Sequence, residues 1–179
     1  LQVPVVMKET GCGVAYEDAL RMEAAGAKGV EVSGVGGTSW SAVEYHIARE
    51  VGKKDQEYLG RALWNWGIPT AVSVAEISQR TSLTVIASGG IRTGAEIAKS
   101  FSLGADAAGI AKPFLEKAVE GYDALSQHVD HIIRELRVVM FLVGARNLEE
   151  LKHVPVLIQG RTAEWLRLRG VNVEDYAGR

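Results

Sequence analysis

Lys8, Ser33, Thr38, the run Gly89-Gly90-Ile91-Arg92 and the pair Ala111-Lys112 each stand just past a short apolar stretch. Thr84-Val85-Ile86-Ala87 runs through Ser88 into two glycines, and a helical pattern follows from Ala95 to Ser102. Paired glycines permit a tight turn and let backbone N–H groups come close to a ligand. The helix that opens next aims its positive end at the same spot, which favours an anion. A further apolar run, Asp106 to Ala111, leads into Lys112-Pro113. Two successive loops, at Gly89-Gly90 and at Ala111-Lys112-Pro113, are expected to aim N–H groups at one phosphate and so to make a phosphate cup.

Other residues read two ways. Lys8 either sets a cation beside an electron-rich ligand or is solvated where a strand leaves the core. Ser33 and Thr38 flank a glycine-rich loop and either bind a ligand or serve local turns. Arg92 either clamps phosphate or is a solvated residue at a helix start, and Lys112 is expected to offer its N–H rather than its charge. His128 and His131, with Glu135 four residues on, fall on a helical packing stripe and read as packing or surface positions rather than metal ligands. Trp40, Trp64, Trp66 and Trp165 read as core or interface aromatics. Cys12 has no histidine partner in view and reads as inert. No spacing selects Glu9 or Glu31 as an acid or base.

The elements that must position these residues follow from pattern. Strands are expected at Val3–Met7, Gly29–Ser33, Leu83–Ala87 and Asp106–Ala111. Helices are expected at Tyr16–Ala25, closed by Gly26, at Trp40–Glu50, and from Pro69 as first helical residue through Ile77. Residues 51–61 are polar and read as an insertion around a helical Gln56–Trp66. The order is β-α-β-α-α-β-α-β with a helical tail. There Leu125, Val129, Ile132, Ile133, Leu136, Met140 and Val143 predict an amphipathic helix with one face on the sheet. Asn147 caps a helix over Leu148–Lys152, and Thr162–Arg169 is a last helix ended by Gly170.

Every candidate then falls at the carboxyl end of a strand, and in a β/α barrel those ends share one mouth. Four parallel strands cannot close a packed barrel, which needs about eight. The fold class is α/β: the second half of a TIM (β/α)₈ barrel, about four parallel βα units, with residues 1–145 as half-barrel and 146–179 as helical tail. The chain opens on Leu1 rather than Met, so its natural start is expected upstream.

Composition narrows the classes. With 179 residues, 47% hydrophobic and 23% charged, the chain is an ordinary globular sequence. A net charge of −2 and a pI near 6.1 give no reason to expect nucleic acid. A single cysteine excludes an intrachain disulfide, a cysteine-based zinc site and a cysteine-held iron–sulfur cluster. No membrane span or signal peptide is visible, and a reducing cytoplasm is expected.

Several motifs carry a resemblance: Val6-Met7-Lys8-Glu9-Thr10-Gly11, Ser33-Gly34-Val35-Gly36-Gly37-Thr38-Ser39-Trp40, Gly67-Ile68-Pro69-Thr70, Ala87 to Gly94, and Leu103-Gly104-Ala105-Asp106. From Pro4 to about Ala145 the chain resembles the type 2 isopentenyl diphosphate isomerases, FMN-dependent (β/α)₈ barrel enzymes. The stretch ending Gly-Gly-Thr-Ser-Trp is the specific one. The resemblance implies FMN as cofactor, with Lys8 near the flavin ring, Ser33 and Thr38 touching FMN, and Gly90, Ile91, Arg92, Ala111 and Lys112 around its phosphate. It also implies interconversion of isopentenyl and dimethylallyl diphosphate with Mg²⁺, NADPH or another reductant, and a cytoplasmic homo-oligomer, tetramer or octamer.

The family's Gln-Glu pair for substrate and metal comes from a strand before Lys8. Catalytic residues are therefore expected upstream of residue 1, no metal ligand is expected here, and this stretch alone is expected to be inactive, its barrel completed by an N-terminal half. Rival readings are another FMN barrel oxidoreductase, such as a glutamate synthase domain or a 2-hydroxy-acid oxidase, and a phosphate-binding half-barrel without chemistry. The glutamate synthase type brings cysteine-held clusters, and the oxidases need a catalytic histidine at a strand end.

Overall fold

In the computed structural model, which describes residues 2–179, four short strands form one sheet. They are β1 (Val6–Lys8), β2 (Gly29–Glu31), β3 (Thr84–Ala87) and β4 (Ala107–Ala108), adjacent in that order and all parallel. Helix α1 (Tyr16–Ala24) joins β1 to β2, and α5 (Gly94–Ser102) joins β3 to β4. Between β2 and β3 run α2 (Trp40–Glu50), α3 (Lys54–Ala62) and α4 (Thr70–Ser78). After β4 come α6 (Lys112–Glu120), α7 (Tyr122–Val143), α8 (Leu148–Leu151), α9 (Gly160–Leu168) and α10 (Glu174–Ala177). Leu1, on which the chain opens, lies outside the described residues.

A sequential order of parallel strands, joined by right-handed crossovers, puts the connecting helices on one face and every strand's carboxyl end at one rim. That is half of a β/α barrel, as expected. The core forms where Val30, Val32, Val85 and Ala87, all buried, meet Val72, Val74, Ala75 and Ile77 of α4. Because α4 lies between the sheet and α9, it is apolar on nearly every side rather than along one stripe.

The strands are shorter than the apolar runs suggest. Val3 and Val5 stay exposed, because β1 has a partner on only one side. Next to β4, the Asp106 carboxylate accepts the Val85 N–H at 2.8 Å, so a side chain replaces the ladder bond of one more strand residue. The insertion is a full helix, α3, two residues earlier than expected, which makes three helices between β2 and β3. It crosses α2 so closely that a Cβ on Gly60 would stand 2.7 Å from the Ser41 carbonyl oxygen. Pro69 is the residue before α4 rather than its first.

The long amphipathic helix also departs from expectation. α7 packs on α5 and α6, not on the sheet. Leu136, Val139 and Met140 meet Ala98 and Phe101 of α5, which already covers the strands there. Gly94 makes this approach possible, and the Glu135 carboxylate accepts the N–H groups of Gly94 (2.9 Å) and Ala95 (3.3 Å). Thr93 caps the same helix by accepting the Glu96 N–H at 3.1 Å. Asn147 caps α8 in the same way.

The tail shares the main core, through Leu166, Val171, Val173 and Tyr176. The Tyr176 hydroxyl accepts from Gln79 Nε2 at 3.0 Å, and burial pushes its phenol up. Arg169 ties α9 to the half-barrel. Its guanidinium donates to both oxygens of Glu17 (2.7 and 2.6 Å) and to Glu76 Oε1 (3.0 Å), and it stacks over the Tyr16 ring 4.7 Å from the centroid. The Glu17 and Glu76 bonds raise the guanidinium's pKa, and the Arg169 bond holds Glu17 below the usual carboxylate range. Among the described residues no helix is long and apolar enough to cross a membrane.

Glu76 is only 1% exposed, so removing its cation leaves a carboxylate with neither water nor partner. Arg169→Met is expected to cost about 3 kcal/mol in urea unfolding. Arg167→Met, which breaks a pair with the exposed Glu174, should leave the urea midpoint nearly unchanged.

Candidate active site

Lys8 and Glu31 are register partners at the carboxyl ends of β1 and β2, so their side chains rise on the same side of the sheet. Lys8 Nζ donates to Glu31 Oε1 at 2.8 Å, and the Ser88 hydroxyl donates to the same oxygen at 2.7 Å. Ser88 in turn accepts the Ser33 N–H at 3.2 Å. Burial raises the Glu31 carboxyl, but the Lys8 and Ser88 bonds together outweigh it and hold the group below its ordinary range. One chain of polar contacts thus links the ends of β1, β2 and β3. Ser33 sits at φ 41°, the one non-glycine in the left-handed region among the described residues. Such a conformation persists only where its surroundings impose it.

The loops after β2 and β3 meet backbone to backbone. The Gly34 N–H donates to the Ser88 carbonyl at 2.9 Å. A Cβ on Gly89 would stand 2.1 Å from the Gly34 carbonyl oxygen, and one on Gly90 would stand 2.6 Å from the Gly36 carbonyl carbon. Both glycines also have positive φ, 98° and 82°. Thr70, the first residue of α4, reaches the Gly89 and Ser88 carbonyls with its hydroxyl, at 2.6 and 3.1 Å.

Arg92 is exposed, and part of its guanidinium is engaged by the two loops. Its guanidinium donates to the carbonyls of Gly90 (2.5 Å) and Gly36 (2.7 Å), which staples the two loops together. Its own N–H is taken by Glu96 at 2.7 Å. By contrast, the N–H groups of Gly90, Ile91, Ala111 and Lys112 donate to no other group among the described residues. Lys112 Nζ lies 3.7 Å from Glu116 and is largely exposed, so the residue offers the site its N–H. Among the described residues the hydroxyls of Ser33 and Thr38, which line the same cavity, have no hydrogen-bond partner.

All eight residues singled out in the sequence line one cavity of about 380 Å³: Lys8, Ser33, Thr38, Gly90, Ile91, Arg92, Ala111 and Lys112. Its floor is completed by Glu31, Ser88, Gly109 and the indole of Trp40. The first turn of α6, the glycine turn after β3 and the Lys8–Glu31 pair all border the cavity, and Glu31 Oε1 stands 4.0 Å from a Cβ placed on Gly109. A larger cavity of about 550 Å³ lies under α9, away from this rim. Of its charged walls, Arg169, Glu76 and Glu17 already satisfy one another, and none of the eight residues above lines it.

Four residues that spacing did not select build the site. Glu9 accepts the N–H groups of Gly11 (2.5 Å), Cys12 (2.5 Å) and Gly13 (3.2 Å), fixing the loop after β1. Trp40 Nε1 donates to the Thr10 carbonyl at 2.5 Å and closes that loop against α2. Glu31 and Ser88 join Lys8. The signal for Glu31 was parallel register: the last residues of neighbouring strands must face each other. Burial, and secondarily the Glu9 carboxylate, push the Cys12 thiol up, so it is no nucleophile near neutrality. His128 stacks edge-on against Phe114 at 5.9 Å and serves packing. Among the described residues no three His, Cys, Asp or Glu side chains form a metal-binding group.

Comparison with known proteins identifies the family. The family model of FMN-dependent dehydrogenases matches residues 1–157. The isopentenyl-diphosphate delta-isomerase of Methanothermobacter thermautotrophicus is 47% identical over 179 residues, all of this chain and 50% of that protein. The enzyme of the same name from Thermococcus kodakarensis is 48% identical over 167 residues, 93% of this chain and 44% of its own length. The chain therefore spans about half the length of the curated relatives it matches. A mandelate oxidase structure superposes with a TM-score of 0.66 at 23% identity, over 89% of this chain and 41% of its own, a likeness of fold.

Two outcomes are expected. Gly89→Ala should cost more than 1 kcal/mol in thermal or urea unfolding and deform the cavity. Gly26→Ala, at φ 94° with nothing within 4 Å, should pay only the left-handed backbone term of about 1 kcal/mol. Second, Glu31 has a lowered pKa, so its ion pair adds stability above the ordinary value of 4.5 and loses it as pH falls through the folded value. The stability difference between wild type and Glu31→Gln should therefore shrink toward zero as unfolding is measured at pH values progressively below 4.5.

Proposed function

The chain belongs to the FMN-dependent dehydrogenase family, and from that membership we propose that it is the FMN-phosphate-binding part of an isopentenyl-diphosphate delta-isomerase. One observation carries the reading: the eight residues line a single cavity that holds four unengaged N–H groups and a cation–carboxylate pair. The strength of identity to relatives of that name, from 43% to 48%, supports the isomerase over an oxidase.

The residues present fit FMN. A phosphate is a small, highly charged acceptor, and the glycine turns offer N–H groups where any Cβ would collide with backbone. Gly90, Ile91, Ala111 and Lys112 would hold the phosphate, with Arg92 fixing the loops rather than gripping it. Ser33 and Thr38 would hydrogen-bond the middle of the cofactor through their free hydroxyls. Lys8 would meet the ring. When bound, FMN supplies a ring system that takes up and returns protons and electrons. The substrates would be isopentenyl and dimethylallyl diphosphate, and the reductant NADPH or an equivalent donor.

The described residues do not fit Mg²⁺, since no acidic group converges on a point, and no step here runs through the metal. Four strands leave both edges of the sheet open, which is unfavourable for an independent closed site. The proposed setting is a whole barrel in a cytoplasmic homo-oligomer, and residues 1–179 by themselves are expected to show no turnover.

A fluorescence titration of the chain with FMN, with riboflavin as control, tests the reading. Binding of FMN with at least about tenfold preference over riboflavin is expected, a difference of about 1.4 kcal/mol assigned to the phosphate. Equal affinity for the two would overturn the phosphate cup. Failure of the whole protein to bind either would overturn the flavin reading.

A further inference from the structure

We propose that Glu31 is a positioning and charge-tuning residue: it holds the Lys8 ammonium in place and offsets its charge toward whatever occupies the cavity. The inference rests on the FMN reading for its redox consequence but not for the Lys8–Glu31 contact itself.

The geometry is specific. Glu31 Oε1 stands 4.0 Å from a Cβ placed on Gly109, two residues before Ala111. A ligand seated at the loops after β3 and β4 therefore shares the cavity with the Lys8–Glu31 pair. It meets not a bare ammonium but one already 2.8 Å from a carboxylate. The carboxylate cannot swing away freely, because Ser88 donates to the same oxygen at 2.7 Å and is itself tied to the backbone of Ser33. Lys8 is about half exposed and Glu31 about a quarter, so the Lys8 ammonium is the group that faces the opening.

A ring that gains negative charge on reduction is stabilised by a nearby cation, and less so when a fixed anion stands beside that cation. Glu31 thus keeps the reduced form of the cofactor from being held too tightly. Glu31 lines the cavity, and the proposed effect is exerted through Lys8.

Two measurements test this, on wild type, Glu31→Gln and Ser88→Ala. In the chain without ligand, reductive methylation of Lys8 read by mass spectrometry, relative to exposed Lys53, should be several-fold faster in Glu31→Gln. An unchanged rate would overturn the hold on Lys8, whatever the ligand. In FMN-loaded protein, Glu31→Gln should bind the reduced cofactor more tightly relative to the oxidised by about tenfold, an upward shift of about 30 mV for a two-electron couple. Ser88→Ala keeps the charge and should move the potential far less. A potential that stays put or falls in Glu31→Gln, or moves equally in Ser88→Ala, would overturn charge tuning. If no form takes up FMN, the flavin reading fails and the methylation rates still decide the Lys8–Glu31 contact.

Discussion

The contact on which the rest depends is backbone against backbone, between Gly34–Gly37 and Gly89–Gly90. No side chain fits between these loops, so hydrogen bonds and sterics alone set their spacing. Once it is set, Thr70 can reach two carbonyls at once and Arg92 can bridge the pair. The strand ends are then held close enough for Ser88 to connect Glu31 with Ser33. Without that close approach, the N–H groups of the second loop would face the first loop's side chains rather than a cavity.

Much of this was legible in residue types. Apolar runs located all four strands, because parallel strands covered on their faces carry no alternating pattern. The rim residues followed from strand ends alone. Their exact partners did not. Arg92 read either as a phosphate clamp or as a solvated helix start, and its contacts with the carbonyls of Gly90 and of Gly36 in the neighbouring loop were not visible in its spacing. Glu31 looked unselected because its partner lies 23 residues away in sequence, and only strand register brings it to Lys8. Helix α7 was read onto the sheet because an amphipathic stripe names a buried face without naming what buries it.

The charged groups divide between two tasks. At the rim they are left partly exposed, and their arrangement shapes what the cavity attracts. Beneath, Arg169 and Glu76 are locked into a contact that joins chain segments 93 residues apart, with Tyr16 as a platform for both Arg169 and Arg80. The first arrangement tolerates a ligand, and the second tolerates little change at all.

Arg179 donates to the carbonyls of Ser102 and Lys152 and stacks on Tyr176, which anchors the last residue beside the end of α5. In a βα unit that end of the helix lies by the amino ends of the strands, opposite the rim. A fluorophore, affinity handle or sensor surface attached at that end of the fold would therefore sit on the far side of the sheet. The cavity would face outward, so ligand capture could be followed on immobilised protein without the linker shading its mouth.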